Sequence, residues 1–85
     1  MCKDCRKYIT ETKIFFETGS TDSNANSMLF VNTGTVNVTI DGLLLVPNQS
    51  WEISGNRDEI NVKTYYFTFA AGAGAGLTVI FKRYL

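Results

Sequence analysis

Apolar and polar residues alternate along much of this chain, and the alternation predicts strands. Between Val36 and Ile40, valine or isoleucine occupies every second position, while Asn37 and Thr39 fall between them. Residues two apart share a face of an extended strand, so such a segment has one dry face and one wet face. No segment has a convincing helical period, and the best candidate, Cys2–Thr12, is poor. The pattern therefore predicts an all-β chain.

Turn-forming residues divide the apolar runs at intervals of roughly eight to twelve residues, as in small sandwiches and barrels. Asp41-Gly42 stands between two apolar runs and favours the positive φ angles of a type I′ hairpin turn. Pro47 ends the next run because it has no main-chain N–H to donate to a ladder. Thr18–Ser27 has no apolar residue larger than alanine and is predicted to be a loop. The predicted strands lie near Lys7–Glu17, Met28–Asn32, Thr35–Ile40, Leu43–Val46, Trp51–Ser54, Glu59–Phe69 and Leu77–Tyr84.

The last two predicted strands carry apolar side chains on both faces. Glu59–Phe69 changes its apolar face partway along, and either a β-bulge or burial of both faces would explain the change. In Leu77–Tyr84, Ile80 and Tyr84 lie opposite three other apolar residues. A partner usually covers an apolar outer face, although a twisted central strand under loops would hide one too.

Length and composition indicate one domain. The 85 residues are predicted to form a small antiparallel β-sandwich or barrel of six to seven strands, with residues 1–6 as a loose N-terminal segment. A domain of this size buries only about 60–65% of the surface that its unfolded chain exposes, so a stand-alone fold is marginal. Two cysteines and no histidine leave little scope for disulfides or metals, and association with other subunits is the favoured route to stability.

Composition and charge argue against several classes of function. The chain lacks histidine, the commonest general base, and its only adjacent carboxylates, Asp58 and Glu59, would point to opposite faces of a strand. Eight basic and eight acidic residues cancel, so there is no broad field to attract nucleic acid. No secretory signal and no apolar run of membrane-spanning length is visible. We therefore expect no enzymatic activity, no cofactor, no small-molecule substrate, no nucleic-acid or membrane partner, and synthesis in a cytoplasm.

Two segments suggest contacts beyond the chain. Cys2 and Cys5 have the Cys-x-x-Cys spacing of half a zinc site or of a redox disulfide, but the chain offers no second pair of ligands. A reduced N-terminus without metal is favoured over a zinc shared between subunits. Ala70–Gly76 alternates alanine and glycine and is predicted to be the tip of a hairpin joining the last two strands. Glycines permit close backbone approach, so this tip is either flexible or, as we favour, pressed against a neighbouring protein.

The segment Met28–Leu85 resembles small all-β proteins of tailed-phage virions. In those proteins an Asn-x-Gly break precedes a strand, an Asp-Gly or Asn-Gly hairpin follows, and Pro-x-x-Ser leads into a strand that ends in Gly. The matching residues in this chain are Asn32, Gly34, Asp41, Gly42, Pro47, Ser50 and Gly55. The closing strand, which ends in the residues Phe81–Leu85, also looks like that of this group. The resemblance implies a virion structural role, either as capsid decoration or in a ring at the portal, collar or tail.

The leading hypothesis is a non-enzymatic virion structural protein, made in the host cytoplasm, that assembles with copies of itself and with other virion structural proteins. The residues predicted to form its interface are Tyr65, Phe67, Phe69, Gly72, Gly74, Gly76, Ile80 and Tyr84. One alternative is a small carbohydrate- or ligand-binding module that uses Trp51, Tyr65 or Tyr66 as a stacking platform. Another is a zinc or redox adaptor acting through Cys2 and Cys5.

Overall fold

Eight β-strands make up the regular structure of the chain, which a computed structural model describes from residue 7 to residue 85. The strands are β1 (Tyr8–Phe15), β2 (Gly19–Asp22), β3 (Ser27–Asn32), β4 (Val38–Ile40), β5 (Leu43–Leu45), β6 (Ser50–Ile53), β7 (Thr64–Phe69) and β8 (Leu77–Tyr84). No helix occurs in that range, so the all-β prediction is confirmed, with eight strands rather than six to seven. The predicted loose segment, residues 1–6, lies outside the described residues.

The strands form two four-stranded sheets in which every pairing is antiparallel. The first sheet has the order β1-β8-β3-β6, and the second has the order β2-β7-β4-β5. Along the chain, β4 and β5 are the only consecutive strands that share a sheet. The predicted hairpin between the last two strands is therefore wrong, because β7 belongs to the second sheet and β8 to the first.

One hydrophobic core lies between the inner faces of the two sheets. Phe30 of β3 packs against Tyr65 of β7 with ring centroids 5.3 Å apart, and Phe15 of β1 packs against Phe67 of β7 at 4.8 Å. The buried apolar residues are Ala25, Met28, Phe30, Val38, Ile40, Leu45, Tyr65, Phe67, Leu77, Val79 and Phe81. Both sheets contribute to this set, so the burial that stabilises each sheet depends on the presence of the other.

The Asp41-Gly42 hairpin turn is confirmed. Ile40 pairs with Leu43, which leaves a two-residue loop, and φ is 48° at Asp41 and 87° at Gly42. Positive φ at both residues is what a type I′ turn requires. The carboxylate of Asp41 accepts a hydrogen bond from the N–H of Tyr66 at 3.1 Å and forms an ion pair with Lys63 at 2.7 Å. The hydrogen bond from Lys63 is the main cause that lowers the pKa of Asp41, and the N–H of Tyr66 adds to it.

Pro47 also lies in a turn, as predicted. The N–H of Gln49 donates to the carbonyl of Val46 at 3.0 Å, and Asn48 has φ of 70°. A proline followed by a residue with positive φ is typical of a type II turn. Asparagine enters the left-handed region more readily than most residues, so Asn48 can occupy a position where glycine is common.

The predicted loop Thr18–Ser27 contains a strand. β2 has only small and polar residues, and its four positions pair with β7 from Gly19–Phe67 to Asp22–Thr64. Main-chain hydrogen bonding to β7 therefore produces this strand, because only Thr21 of its side chains is buried. The prediction missed β2 because it relied on apolar alternation, and a short edge strand can form without it.

Two polar side chains in the second half of the same segment are buried. Ser23 and Asn26 are 0% and 3% exposed. The hydroxyl of Ser23 donates to the carbonyl of Asn61 at 2.7 Å. The Asn26 side chain donates to the carbonyl of Glu59 at 2.7 Å and accepts from the N–H of Tyr84 at 2.8 Å. These side chains satisfy main-chain groups of other segments, which is how polar residues can be buried at low cost.

The apparent change of face in Glu59–Phe69 marks the start of a strand. β7 begins only at Thr64, and Ile60 and Val62 lie before it with exposures of 58% and 77%. From Thr64 onward the alternation is regular, with Tyr65 and Phe67 buried. Neither a bulge nor burial on both faces is needed to explain the sequence pattern.

Candidate interaction surface

The side of the first sheet that faces away from the core carries several apolar side chains. We call it the outer face; its residues include Tyr8, Thr10, Leu29, Val31, Ile80, Lys82 and Tyr84. Ile80 and Tyr84 are partly exposed and alternate with the buried residues of β8. The prediction that β8 is apolar on both faces is confirmed, and the participation of these two residues in an interface stays a prediction.

The aromatic residues at one end of the outer face are held in place by a lysine. Tyr8 and Tyr84 meet edge to face with ring centroids 6.1 Å apart. The Nζ atom of Lys82 lies 4.4 Å from the ring centroid of Tyr8 and 5.0 Å from that of Tyr84. Beside them is an open groove of about 250 Å³ whose lining includes Leu29 and Ile80. The outer face is therefore an ordered apolar surface with a cation at one end.

The outward side of the second sheet is different in character. Thr39, Thr64 and Thr68 lie there, and they contribute short polar side chains. Leu44 and Tyr66 also lie on this side and are 51% and 65% exposed. Both sheets therefore offer some apolar surface to a partner, and on the second sheet it lies among threonines.

The aromatic residues of the predicted stacking platform do not share one surface. Tyr65 is 3% exposed in the core, and Tyr66, its neighbour in β7, points to the opposite side. Trp51 stacks on Phe30 at 5.4 Å and meets Tyr65 edge to face at 6.1 Å, and both of these partners are buried. Of these three residues, Tyr66 is exposed, Trp51 is partly buried and Tyr65 is buried, so the three rings do not form one stacking surface.

The β7 residues of the predicted interface face the core. Tyr65 and Phe67 are 3% and 1% exposed, so their side chains contribute to the core and present almost no surface to a partner. Phe69 is partly buried, with its ring centroid 6.0 Å from that of Phe67. Only Phe69 retains accessible side-chain surface among the three.

The Ala-Gly segment packs against its own chain. Thr33 and Gly34 donate main-chain hydrogen bonds to the carbonyl of Gly76, both at 3.1 Å, and Thr35 donates to the carbonyl of Gly74 at 2.9 Å. A Cβ atom on Gly72 would lie 2.8 Å from the side chain of Val36. The close backbone approach predicted for these glycines is present, and the neighbour is the loop that follows β3. The segment crosses between the two sheets, so its glycines have an intramolecular role.

Asn32 holds that same loop in place. Its side chain is buried and donates to the carbonyls of Val36 and Leu45, both at 2.9 Å. Its side-chain oxygen accepts from the N–H of Gly34 at 3.1 Å. The Asn-x-Gly break is therefore an Asx turn in which one amide side chain satisfies three main-chain groups.

β1 forms an exposed edge of the first sheet. Apart from Phe15, all of its side chains are exposed, including Tyr8, Ile9 and Ile14 at 54%, 48% and 55%. Phe16, just beyond the strand, is 69% exposed. Our interpretation of the sequence did not single out this strand. The sequence does indicate this strand, because Lys7–Glu17 has apolar residues on both faces. A strand with one buried face would have them on one face.

Two charged residues occupy the middle of β1. Glu11 accepts a hydrogen bond from Arg83 at 2.8 Å, and Arg83 also donates to the carbonyl of Asn24 at 2.7 Å. The Arg83 contact is the main cause that lowers the pKa of Glu11, and the positive charge of Lys13 contributes. The Nζ atom of Lys13 lies 5.4 Å from the ring centroid of Phe81. Glu11 and Lys13, two residues apart, therefore carry opposite charges on the inward side of β1.

Cys2 and Cys5 lie outside the described residues, and the structure says nothing about their pairing. Among residues 7–85, no group of three or more histidine, cysteine, aspartate or glutamate side chains could hold a metal ion. The described part of the chain also contains no helix long and apolar enough to cross a membrane. No family model, curated protein or solved structure matches the chain.

Proposed function

We propose that this chain is a non-enzymatic structural protein of a tailed-phage virion, made in the host cytoplasm and assembled in many copies on the capsid or at the portal, collar or tail. Its two sheets are taken as a β-sandwich that serves as a rigid building block. Other copies and neighbouring virion proteins contact its outward surfaces.

The observation that carries the proposal is the position of the exposed apolar residues. Tyr8, Ile9 and Ile14 are exposed along β1, and Phe16 is exposed just beyond it. Leu44 and Tyr66 are exposed on the outward side of the second sheet. An apolar surface of this kind on so small a domain is usually covered by protein. Ile80 and Tyr84 are the residues of the original prediction that belong to the outer face.

The turns support the same proposal. Asn32, Asp41-Gly42 and Pro47 each lie in a tight turn between strands, which agrees with the turn pattern of the virion proteins that the sequence resembles. A domain with such defined turns suits a component that is repeated many times around a symmetric shell or ring.

The proposal is tested on virions of the phage that encodes the chain. Particles purified by density gradient should contain the protein at many copies per particle, as measured by quantitative mass spectrometry against the major capsid protein. A phage replication enzyme from the same lysate is the control for contamination. Abundant protein in the lysate with none in the particles would refute the proposal.

The alternatives have separate tests. Binding of the purified protein to a glycan array, abolished by Tyr66→Ala, would favour a carbohydrate-binding module. Stoichiometric zinc in the purified protein, lost in the Cys2→Ser/Cys5→Ser variant, would favour the metal adaptor. We expect neither, and we expect that double variant to keep the thermal midpoint of the original chain.

A further inference from the structure

β1 has one main-chain edge that no strand among residues 7–85 occupies. The strand pairs with β8 in a register that places Tyr8 opposite Tyr84 and Phe15 opposite Leu77. Continuing that register places Lys7 opposite Leu85, and the N–H of Leu85 donates to the carbonyl of Lys7 at 2.8 Å. Hydrogen-bonding residues alternate along an antiparallel strand. The odd-numbered residues of β1 therefore direct their main-chain groups to β8, and the even-numbered residues direct theirs to the open edge.

This parity restricts how two copies of β1 could pair. In an antiparallel pair related by a two-fold axis, even-numbered residues of one copy must lie opposite even-numbered residues of the other. The central registers that satisfy this condition have their axis at Glu11, at Thr12 or at Lys13. An axis at Glu11 places two glutamates opposite each other, and an axis at Lys13 places two lysines opposite each other. Only the axis at Thr12 places Glu11 opposite Lys13 in both halves of the pair.

The charge pattern of the chain continues this symmetry. Counting outward from Thr12, the next charged residues are Lys7 on one side and Glu17 on the other, each five positions away. Part of the apolar content is symmetric as well, although Ile14 would lie opposite Thr10. The same axis places Ile9 opposite Phe15, and Tyr8 opposite Phe16, of the other copy. Pairing would thus bring these apolar side chains into cross-strand contact.

We propose that two copies of this chain associate through antiparallel pairing of their β1 strands about a two-fold axis at Thr12. The first sheets of the two copies then form one continuous eight-stranded sheet. Glu11 of each copy lies between its own Arg83 and Lys13 of the other copy. The partner is a second copy because the edge is complementary to itself in charge, in apolar contact and in hydrogen-bonding parity. The inference rests on the proposed function, and it names the surface through which copies meet.

Charge reversal tests the register. Lys13→Glu would place two carboxylates opposite each other, and Glu11→Lys would place two ammonium groups opposite each other. Each variant should weaken self-association by roughly tenfold or more, measured by sedimentation equilibrium. An equimolar mixture of the two variants should form a heterodimer with nearly the original affinity, because opposite charges face each other again. Arg57→Glu, which makes the same charge change as Lys13→Glu in the exposed turn before β7, should leave association unchanged.

Two further variants test the geometry. Thr12→Pro removes an N–H that faces the open edge, so it should abolish association while circular dichroism shows an intact fold. Thr12→Cys, in a Cys2→Ser/Cys5→Ser background, should form an intermolecular disulfide, since directly opposite residues in a hydrogen-bonded pair have Cα atoms about 5.5 Å apart. A monomeric original chain, or association that none of these variants affects, would overturn the inference. Association through another surface, with the protein still present in virions, would leave the proposed function standing.

Discussion

A methyl group added at Gly34 would test the contact between the loop that follows β3 and the Ala-Gly segment, Ala70–Gly76. A Cβ atom there would lie closer than 3.0 Å to main-chain atoms of Gly74, Ala75 and Gly76. These atoms belong to a backbone that is hydrogen-bonded in place, so they cannot move as a flexible side chain could. The φ angle of Gly34 is not positive, which means that the expected cost comes from contact and not from the backbone conformation of alanine.

The expected loss of stability can be worked out from the main-chain hydrogen bonds that the added methyl group would break. Thr33 and Gly34 each donate to the carbonyl of Gly76, and Thr35 donates to the carbonyl of Gly74. Three such bonds at about 1 kcal/mol each give about 3 kcal/mol. Alanine also restricts the unfolded chain, which offsets about 0.4–1 kcal/mol of that loss. We therefore expect Gly34→Ala to lower the free energy of unfolding by about 2–3 kcal/mol, or the thermal midpoint by roughly 10–20 °C.

Urea denaturation measured by tryptophan fluorescence is a suitable assay, because Trp51 is the single tryptophan and stacks on the buried Phe30. Gly19→Ala is the matched control. The nearest atom to its added Cβ would be a ring carbon of Phe67 at 3.8 Å, an ordinary contact, so stability should change by less than about 0.5 kcal/mol. If Gly34→Ala were as stable as the original chain, the close packing of the two loops would be refuted.

Three other substitutions test separate parts of the fold. Thr21→Val should raise the free energy of unfolding by about 1 kcal/mol in chemical denaturation, because the buried Thr21 hydroxyl has no hydrogen-bond partner among the described residues; a loss of stability would indicate that the hydroxyl is satisfied. Gly74→Glu should destabilise the isolated fold, seen as a lower thermal midpoint, because φ is 87° there and an added Cβ would collide with the Thr35 hydroxyl; an unchanged midpoint would show that the segment is free. Asp41→Asn should keep the turn and remove the contribution of Asp41 to the pH dependence of the free energy of unfolding. The folded-state pKa of Asp41 is lowered, so its contribution to stability is present above its unfolded pKa of about 4 and is lost as the pH falls through the lower folded value. The difference between the original chain and this variant should therefore shrink on acidification, and a constant difference would contradict the role of the ion pair with Lys63.

The sequence by itself determined the class of fold and its local turns. Alternation in Val38–Ile40 predicts a strand with one buried face, whatever the strand packs against. Asp41-Gly42 and Pro47-Asn48 form turns because their backbone preferences are local properties of the residues. These features could be predicted because each depends on interactions within a few residues. The open edge of β1 carried a weaker local signal, which was present in its apolar content but could not indicate which side was unpaired.

Only the tertiary structure decided which strands are neighbours and which main-chain segments the glycines contact. β2 is a strand because β7 lies beside it, and nothing in its four small and polar residues required that. The Ala-Gly segment has a low local preference for any structure, so its contact with Thr33–Thr35 depends on the crossing of β7 and β8 between different sheets. For the same reason, some residues of the predicted interface lie in the core and others lie outside it. Tyr65 and Phe67 are core residues because their side of β7 faces the first sheet. Ile80 and Tyr84 lie on the side of β8 that no second layer covers, so they stay partly exposed.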